Sequence, residues 1–174
     1  MRLSKNSSPL PLKKDNMPSV TPVRRTNNPP TLLAFICFIL LLLPPPALSL
    51  YSLTVRSSMM IAHSFANSTS FGPAQNLHGA TYTVDVTFKN TRLHPRNNWV
   101  VDIGAAGAAL EDVLEEYNLK NLDDLFPRGT LTTTEFMAKQ VHEKIKEKKL
   151  CPGGTICVTL KESHKAWGSY EGKA

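Results

Sequence analysis

Residues 81–88 read Thr81-Tyr82-Thr83-Val84-Asp85-Val86-Thr87-Phe88. Tyr82, Val84, Val86 and Phe88 alternate with Thr81, Thr83, Asp85 and Thr87. A period of two places one set on each face of an extended chain, so this stretch is the clearest strand in the sequence. It anchors the reading of everything on either side.

Upstream, Tyr51 to His63 also reads as a strand, with bulky residues interleaved with small or polar ones. Between the two, Asn67 to Asn76 carries Asn, Ser, Gly and Pro and reads as a loop. Downstream, Leu93 to Asn98 is a turn region, and Trp99 to Ile103 is a short strand. Ala105 to Tyr117 is helical: Leu110, Val113, Leu114 and Tyr117 recur at i, i+3, i+4 and i+7, with Glu111, Asp112, Glu115 and Glu116 opposite. A second helix spans Thr134 to Lys149. Thr132 and Glu135 give it a capping box, and Met137, Val141 and Ile145 form its apolar stripe. Lys144, Lys146, Lys148 and Lys149 crowd its C-terminal end, where cations complement the helix dipole; they read as a solvated end. After Pro152-Gly153-Gly154, Thr155 to Leu160 is strand-like, and a last short strand lies around Trp167 to Tyr170. Two helices inserted into a run of strands predict an α+β domain, an antiparallel sheet with both helices on one face. The other face then needs cover, which oligomerisation supplies.

The chain has 174 residues and a net charge of +6. Residues 1–49 hold six bases against one acid, a net of +5, and residues 50–174 hold 14 bases against 13 acids. The folded part is thus nearly neutral, which argues against a phosphate-backbone binder and for no nucleic-acid partner. Three cysteines are too few for a disulfide-built miniprotein.

The N-terminal 49 residues read as an address. Leu32 to Leu43 is an unbroken apolar run stopped by Pro44-Pro45-Pro46. It falls short of the roughly 20 residues that span a bilayer. Basic residues before it and the small-residue end Ala47-Leu48-Ser49 match a secretory signal peptide cut after Ser49. The chain is then secreted or in the secretory pathway, with no membrane span left. A start at Met17 gives a more ordinary leader. A short anchor, an organelle transit peptide, or a misplaced start codon with a cytosolic product are the alternatives. Asn67-Ser68-Thr69 is an N-glycosylation sequon, and Cys151 and Cys157 are either a lumenal pair or two free thiols flanking a turn.

From residue type alone, His63, His78 and Glu162 are the candidates to carry chemistry, against the alternative of ordinary strand histidines. His63 ends one strand and His78 begins the next, so a hairpin brings the imidazoles together. Two histidines are one ligand short of a catalytic zinc. His94 and His142 read as surface residues, and Trp99 and Trp167 as packing or subunit-contact residues.

Several pieces together resemble the 6-pyruvoyltetrahydropterin synthase and 6-carboxytetrahydropterin synthase family. They are Ala62-His63-Ser64-Phe65, Leu77-His78-Gly79-Ala80-Thr81-Tyr82, Val101-Asp102-Ile103, Asn118-Leu119-Lys120-Asn121-Leu122-Asp123, Thr133-Thr134-Glu135, and Lys161-Glu162 with Tyr170 eight residues on. The resemblance implies a tunnelling fold (T-fold): a four-stranded antiparallel sheet with two helices on one face, closing into a barrel as a trimer or hexamer. It implies a zinc-dependent lyase of tetrahydrobiopterin biosynthesis that eliminates triphosphate from dihydroneopterin triphosphate. In that family one histidine of an Ala-His motif and two of a His-Gly-His motif hold zinc. A cysteine transfers the proton, helped by an Asp-His pair, and a late glutamate grips the pterin.

Carried over residue by residue, His63 and His78 match two zinc ligands, and Ala80 stands at the third. Ala74 stands at the cysteine, and Asn118 and Leu119 at the Asp-His pair. Glu162 matches the pterin anchor, with Thr133 and Thr134 lining the same pocket. His164 is a candidate replacement ligand, since an extended strand would point it to the side of Glu162. Three functions follow: a pterin-processing lyase, a non-catalytic pterin-binding or scaffold oligomer, or a secreted oligomer with no pterin role.

Overall fold

The computed structural model describes residues 50–66 and 68–174. The N-terminal address and Asn67 of the sequon lie outside the described residues. Strands β1 (Tyr51–His63) and β2 (His78–Asn90) form a long antiparallel hairpin. A 3-10 turn, Thr69–Gln75, lies between them, started by the Ser68 hydroxyl accepting from the Ser70 amide. Helix α1 (Ile103–Glu115) follows, then β3 (Lys120–Asn121), the one-turn α2 (Leu122–Leu125) and helix α3 (Thr134–Glu147). Strands β4 (Thr155–Lys161) and β5 (Trp167–Lys173) close the chain as a second hairpin.

The sheet runs β3-β1-β2-β4-β5. Four long strands are antiparallel, as expected. The fifth, β3, is a two-residue parallel addition to the edge of β1, too short to announce itself by periodicity. The chain therefore departs from a four-stranded sheet only at its rim.

Tyr82, Val84, Val86 and Phe88 are fully buried, all on one face of β2. Each contributes about 1.5–3 kcal/mol by leaving water. Ile156, Val158 and Leu160 of β4 and Met59 and Ile61 of β1 continue the layer. Leu110, Val113 and Leu114 of α1 and Met137, Val141 and Ile145 of α3 cover it. Lys144 and Lys148, read as a solvated helix end, pair with Glu116 at 2.6 Å and Asp112 at 3.2 Å on the neighbouring helix.

The opposite sheet face is polar. Arg56 grips Asp85 with two hydrogen bonds of 2.5 and 2.8 Å, Lys161 adds a third cationic contact at 2.9 Å, and Thr54 meets Thr87. These cations hold the Asp85 carboxyl down at about 2, the Arg56 hydrogen bonds contributing most. This face is lined by charged and hydroxyl groups.

Trp99–Ile103 is not a strand. Asp102 caps α1, its Oδ1 accepting from the Ala105 amide at 2.9 Å. The alanine-rich run then takes the helix back to Ile103, because Asp is a strong N-cap and alanine the best helix former. The capping of α3 also shifts by one: the cap is Thr133, which accepts from the Phe136 amide, and not Thr132.

Candidate functional site

The register of the first hairpin sets His63 directly across from His78. Their ring centroids are 4.6 Å apart and tilted by 53°. Phe65 packs on His63 at 4.8 Å, and Phe71 of the 3-10 turn packs on Phe65 at 4.3 Å. His63 is 1% exposed.

Both imidazoles are held by a backbone carbonyl. His63 Nδ1 lies 3.1 Å from the Thr132 carbonyl oxygen, and His78 Nδ1 lies 2.9 Å from that of Asn76. A carbonyl only accepts, so each Nδ1 donates a proton, and in a neutral ring Nε2 is then the nitrogen that keeps its lone pair. His63 Nε2 is buried with no partner. Burial pushes the His63 pKa down, as does its neighbour His78; the Thr132 contact, Glu162 and Asp123 oppose the shift. The ring is therefore held neutral.

The loop before α3 joins the two walls of the site. Thr132 reaches His63, through its hydroxyl at 3.1 Å as well as its carbonyl. Two residues on, the Thr134 hydroxyl donates to Glu162 Oε2 at 3.1 Å, and the Tyr82 hydroxyl lies 3.5 Å from Thr134. Glu162 stands one residue past the end of β4, within electrostatic reach of His63. Thr133 spends its side-chain oxygen as the helix cap. On the other flank the Ser64 hydroxyl donates to Asp123 at 2.6 Å. Thr132, Tyr82 and the Ser64–Asp123 pair were missed as site residues in the sequence. The threonine run 132–134 is the available cue: Thr133 and Thr134 match pocket-lining positions, while Thr132 reads as a cap.

The positions expected to lack proton-transfer groups have structural duties. Asn118 Oδ1 accepts from the Met60 amide at 3.0 Å, and the Leu119 amide donates to the Met60 carbonyl at 2.6 Å. Leu119 takes a left-handed backbone, φ 59°, and is 73% exposed. The Ala74 carbonyl accepts from the Phe65 amide.

His164 does not join the site. The strand ends at Lys161, and His164 is exposed in the turn closed by Glu162 and Ser163 amides on the Ala166 carbonyl. His142 is not a surface residue: it is 1% exposed, packed edge-on against Tyr170 at 4.8 Å. Its place on the sheet-facing side of α3 makes it part of the core. Trp167 is 62% exposed, and Trp99 is exposed as well, so neither packs in the core. Cys151 and Cys157 are free thiols, both pushed up in pKa chiefly by burial.

Among the described residues no three His, Cys, Asp or Glu side chains converge to hold a metal. The two histidines present the right atoms, but the donor set is one short of a catalytic zinc. Beside the site, a cavity of about 210 Å³ is lined by Ser64, Asp123, Phe126 and Arg128. That is smaller than the ~300–1,000 Å³ of small-molecule sites. No described helix is long and apolar enough to cross a membrane.

A family model described as 6-pyruvoyl tetrahydropterin synthase matches residues 52–173. The structure of Caenorhabditis elegans 6-pyruvoyl tetrahydropterin synthase aligns with a TM-score of 0.61 at 23% identity, covering 72% of this chain and 97% of that one. The Plasmodium falciparum enzyme of the same name aligns at 0.55 and 14% identity, covering 72% and 99%. An uncharacterized protein from Wolinella succinogenes aligns at 0.56 and 13% identity, covering 70% and 98%. At these identities the structures establish the fold. No curated protein matches the chain.

Proposed function

The chain belongs to the 6-pyruvoyl tetrahydropterin synthase family, and from that premise we propose that it binds a pterin, with Glu162 gripping the heterocycle. One observation carries the reading: Glu162 is exposed at its strand end yet held by the Thr134 hydroxyl, facing the His63 side of the fold. A carboxylate in that position accepts two parallel N–H bonds from the guanidine-like edge of a pterin. The Thr134 bond restrains its rotation, so less ordering is left to binding. Family membership supports a homo-oligomer, trimer or hexamer, whose neighbouring copy completes the pocket.

Binding without turnover is the preferred reading. Triphosphate elimination needs positioned groups that donate and accept protons. Ala74 has none, Asn118 is committed to the Met60 amide, and Leu119 has no titratable atom. The residues that would hold the family's zinc are His63 and His78. Such an ion would polarise an oxygen or acidify a water, but Ala80 leaves the set incomplete and no step passes through it. Turnover is the second reading, supported by family membership over nearly the whole region after residue 50.

A secretory leader at residues 1–49, with glycosylation at Asn67, fits the binding reading better. The family's triphosphate substrate is made from GTP inside the cell, so an exported chain meets free pterins instead.

Pterin fluorescence titrated with the purified chain tests the proposal. Saturable binding that Glu162→Gln weakens at least tenfold (about 1.4 kcal/mol), with no triphosphate release from dihydroneopterin triphosphate, is the expected result. Triphosphate release selects the second reading. No binding at all refutes both.

A further inference from the structure

We propose that Ala80 alone sets the metal occupancy of this fold, leaving His63 and His78 as a metal-free pair of hydrogen-bond acceptors. The inference rests on the family reading only for where a third donor would stand. The rest comes from the site itself.

Everything about the two imidazoles except their number suits a metal. Each Nδ1 is tied to a backbone carbonyl, the outer-shell arrangement that orients a ligating histidine. In a neutral ring Nε2 is then the nitrogen left to ligate, and the two rings are in contact across the hairpin. Ala80 follows His78 by two residues on β2 and so shares its face. It is half-buried, opposite Ile61 on β1. A methyl group there offers no lone pair.

No neighbour substitutes for it. Asp123 accepts from both the amide and the hydroxyl of Ser64, and Glu162 accepts from Thr134. His164 is in the exposed turn. Zinc sites in proteins use three ligands plus an open position, or four, and two imidazoles meet neither requirement. The buried, unpartnered Nε2 of His63 instead takes an O–H or N–H donor, from water or from a ligand hydroxyl.

The test is metal analysis of the purified full chain, wild type and variants, without any pterin. Wild type is expected to hold under ~0.1 zinc per chain after dialysis, with a melting temperature that EDTA leaves unchanged. Ala80→His is expected to bind about one zinc per chain, and EDTA then lowers its melting temperature because the ion binds only the folded state. Ala80→Gln, similar in bulk but a poor zinc ligand, separates ligation from size and is expected to stay zinc-free. Wild type retaining about one zinc per chain overturns the proposal whether or not any variant folds. So does an Ala80→His chain with native circular dichroism and no zinc, or an Ala80→Gln chain that binds as Ala80→His does. Failure of pterin binding leaves this outcome untouched, so the two readings fail separately.

Discussion

Thr132 holds His63 across 69 positions of sequence: the histidine Nδ1 sits 3.1 Å from both the carbonyl and the hydroxyl oxygen of the threonine. Both residues are essentially inaccessible to solvent. This contact ties the start of α3 to the end of β1 and fixes the tautomer that leaves Nε2 unprotonated.

Thr132→Val keeps the carbonyl and the shape but deletes the hydroxyl. It is expected to destabilise the chain by about 1 kcal/mol, the usual net worth of one hydrogen bond. His63→Phe keeps the ring volume and leaves the Thr132 carbonyl without its donor. Urea unfolding of both single variants and the double variant should give a double-mutant cycle with non-additivity above ~0.5 kcal/mol, as for residues in contact. Strict additivity would show that the hydroxyl half of the contact contributes nothing.

Asp85 gives the pH dependence on the polar face. Its folded pKa of about 2 lies below the ordinary 3.8, so its stabilisation is complete above that ordinary value. It is lost as pH falls from about 4 toward 2 and the carboxylate is protonated. The shift corresponds to roughly 2 kcal/mol. Unfolding free energies of wild type and Asp85→Asn should differ at pH 6 and converge near pH 2. A constant gap would assign the Asn effect to something other than charge.

Gly172 makes room for His142. A β-carbon there would fall 2.8 and 2.9 Å from the ring atoms Cε1 and Nε2 of His142. Gly172→Ala is therefore expected to cost about 1–3 kcal/mol through overpacking between β5 and α3. Adding His142→Ala should recover part of the loss, giving a double variant more stable than the sum of the two changes. Thermal melts read both effects.

Thr134 positions Glu162 rather than touching the backbone of the fold's core. Thr134→Val should weaken pterin binding about three- to tenfold, the loss of one charge-assisted bond in a hydrated setting. Glu162→Gln should weaken it more. Stability should stay within ~0.5 kcal/mol of wild type for Glu162→Gln, which is exposed. A Thr134→Val chain binding as wild type would leave Glu162 oriented by something else.

The alternation at Tyr82 to Phe88, the apolar stripes of the two helices and the Pro-Gly-Gly break all appear in the structure where the pattern placed them. Such features are local, because periodicity of side chains follows directly from backbone geometry. The same holds for the absent donors: Ala74, Ala80 and Leu119 are chemically inert in any fold. Other features depended on neighbours far along the chain. Thr132 could have capped a helix or bonded a buried histidine, and only the fold that lays the loop before α3 over the end of β1 selected the second. His142 has a polar side chain in a lysine- and glutamate-rich helix, and it is buried because β5, thirty residues later, offers Gly172 and Tyr170 to cover it. The sequence thus determined the strand and helix pattern and which chemical groups the chain possesses. The tertiary structure decided which of them meet, because hydrogen bonds and burial join atoms by distance in space, and sequence separation carries almost none of that information.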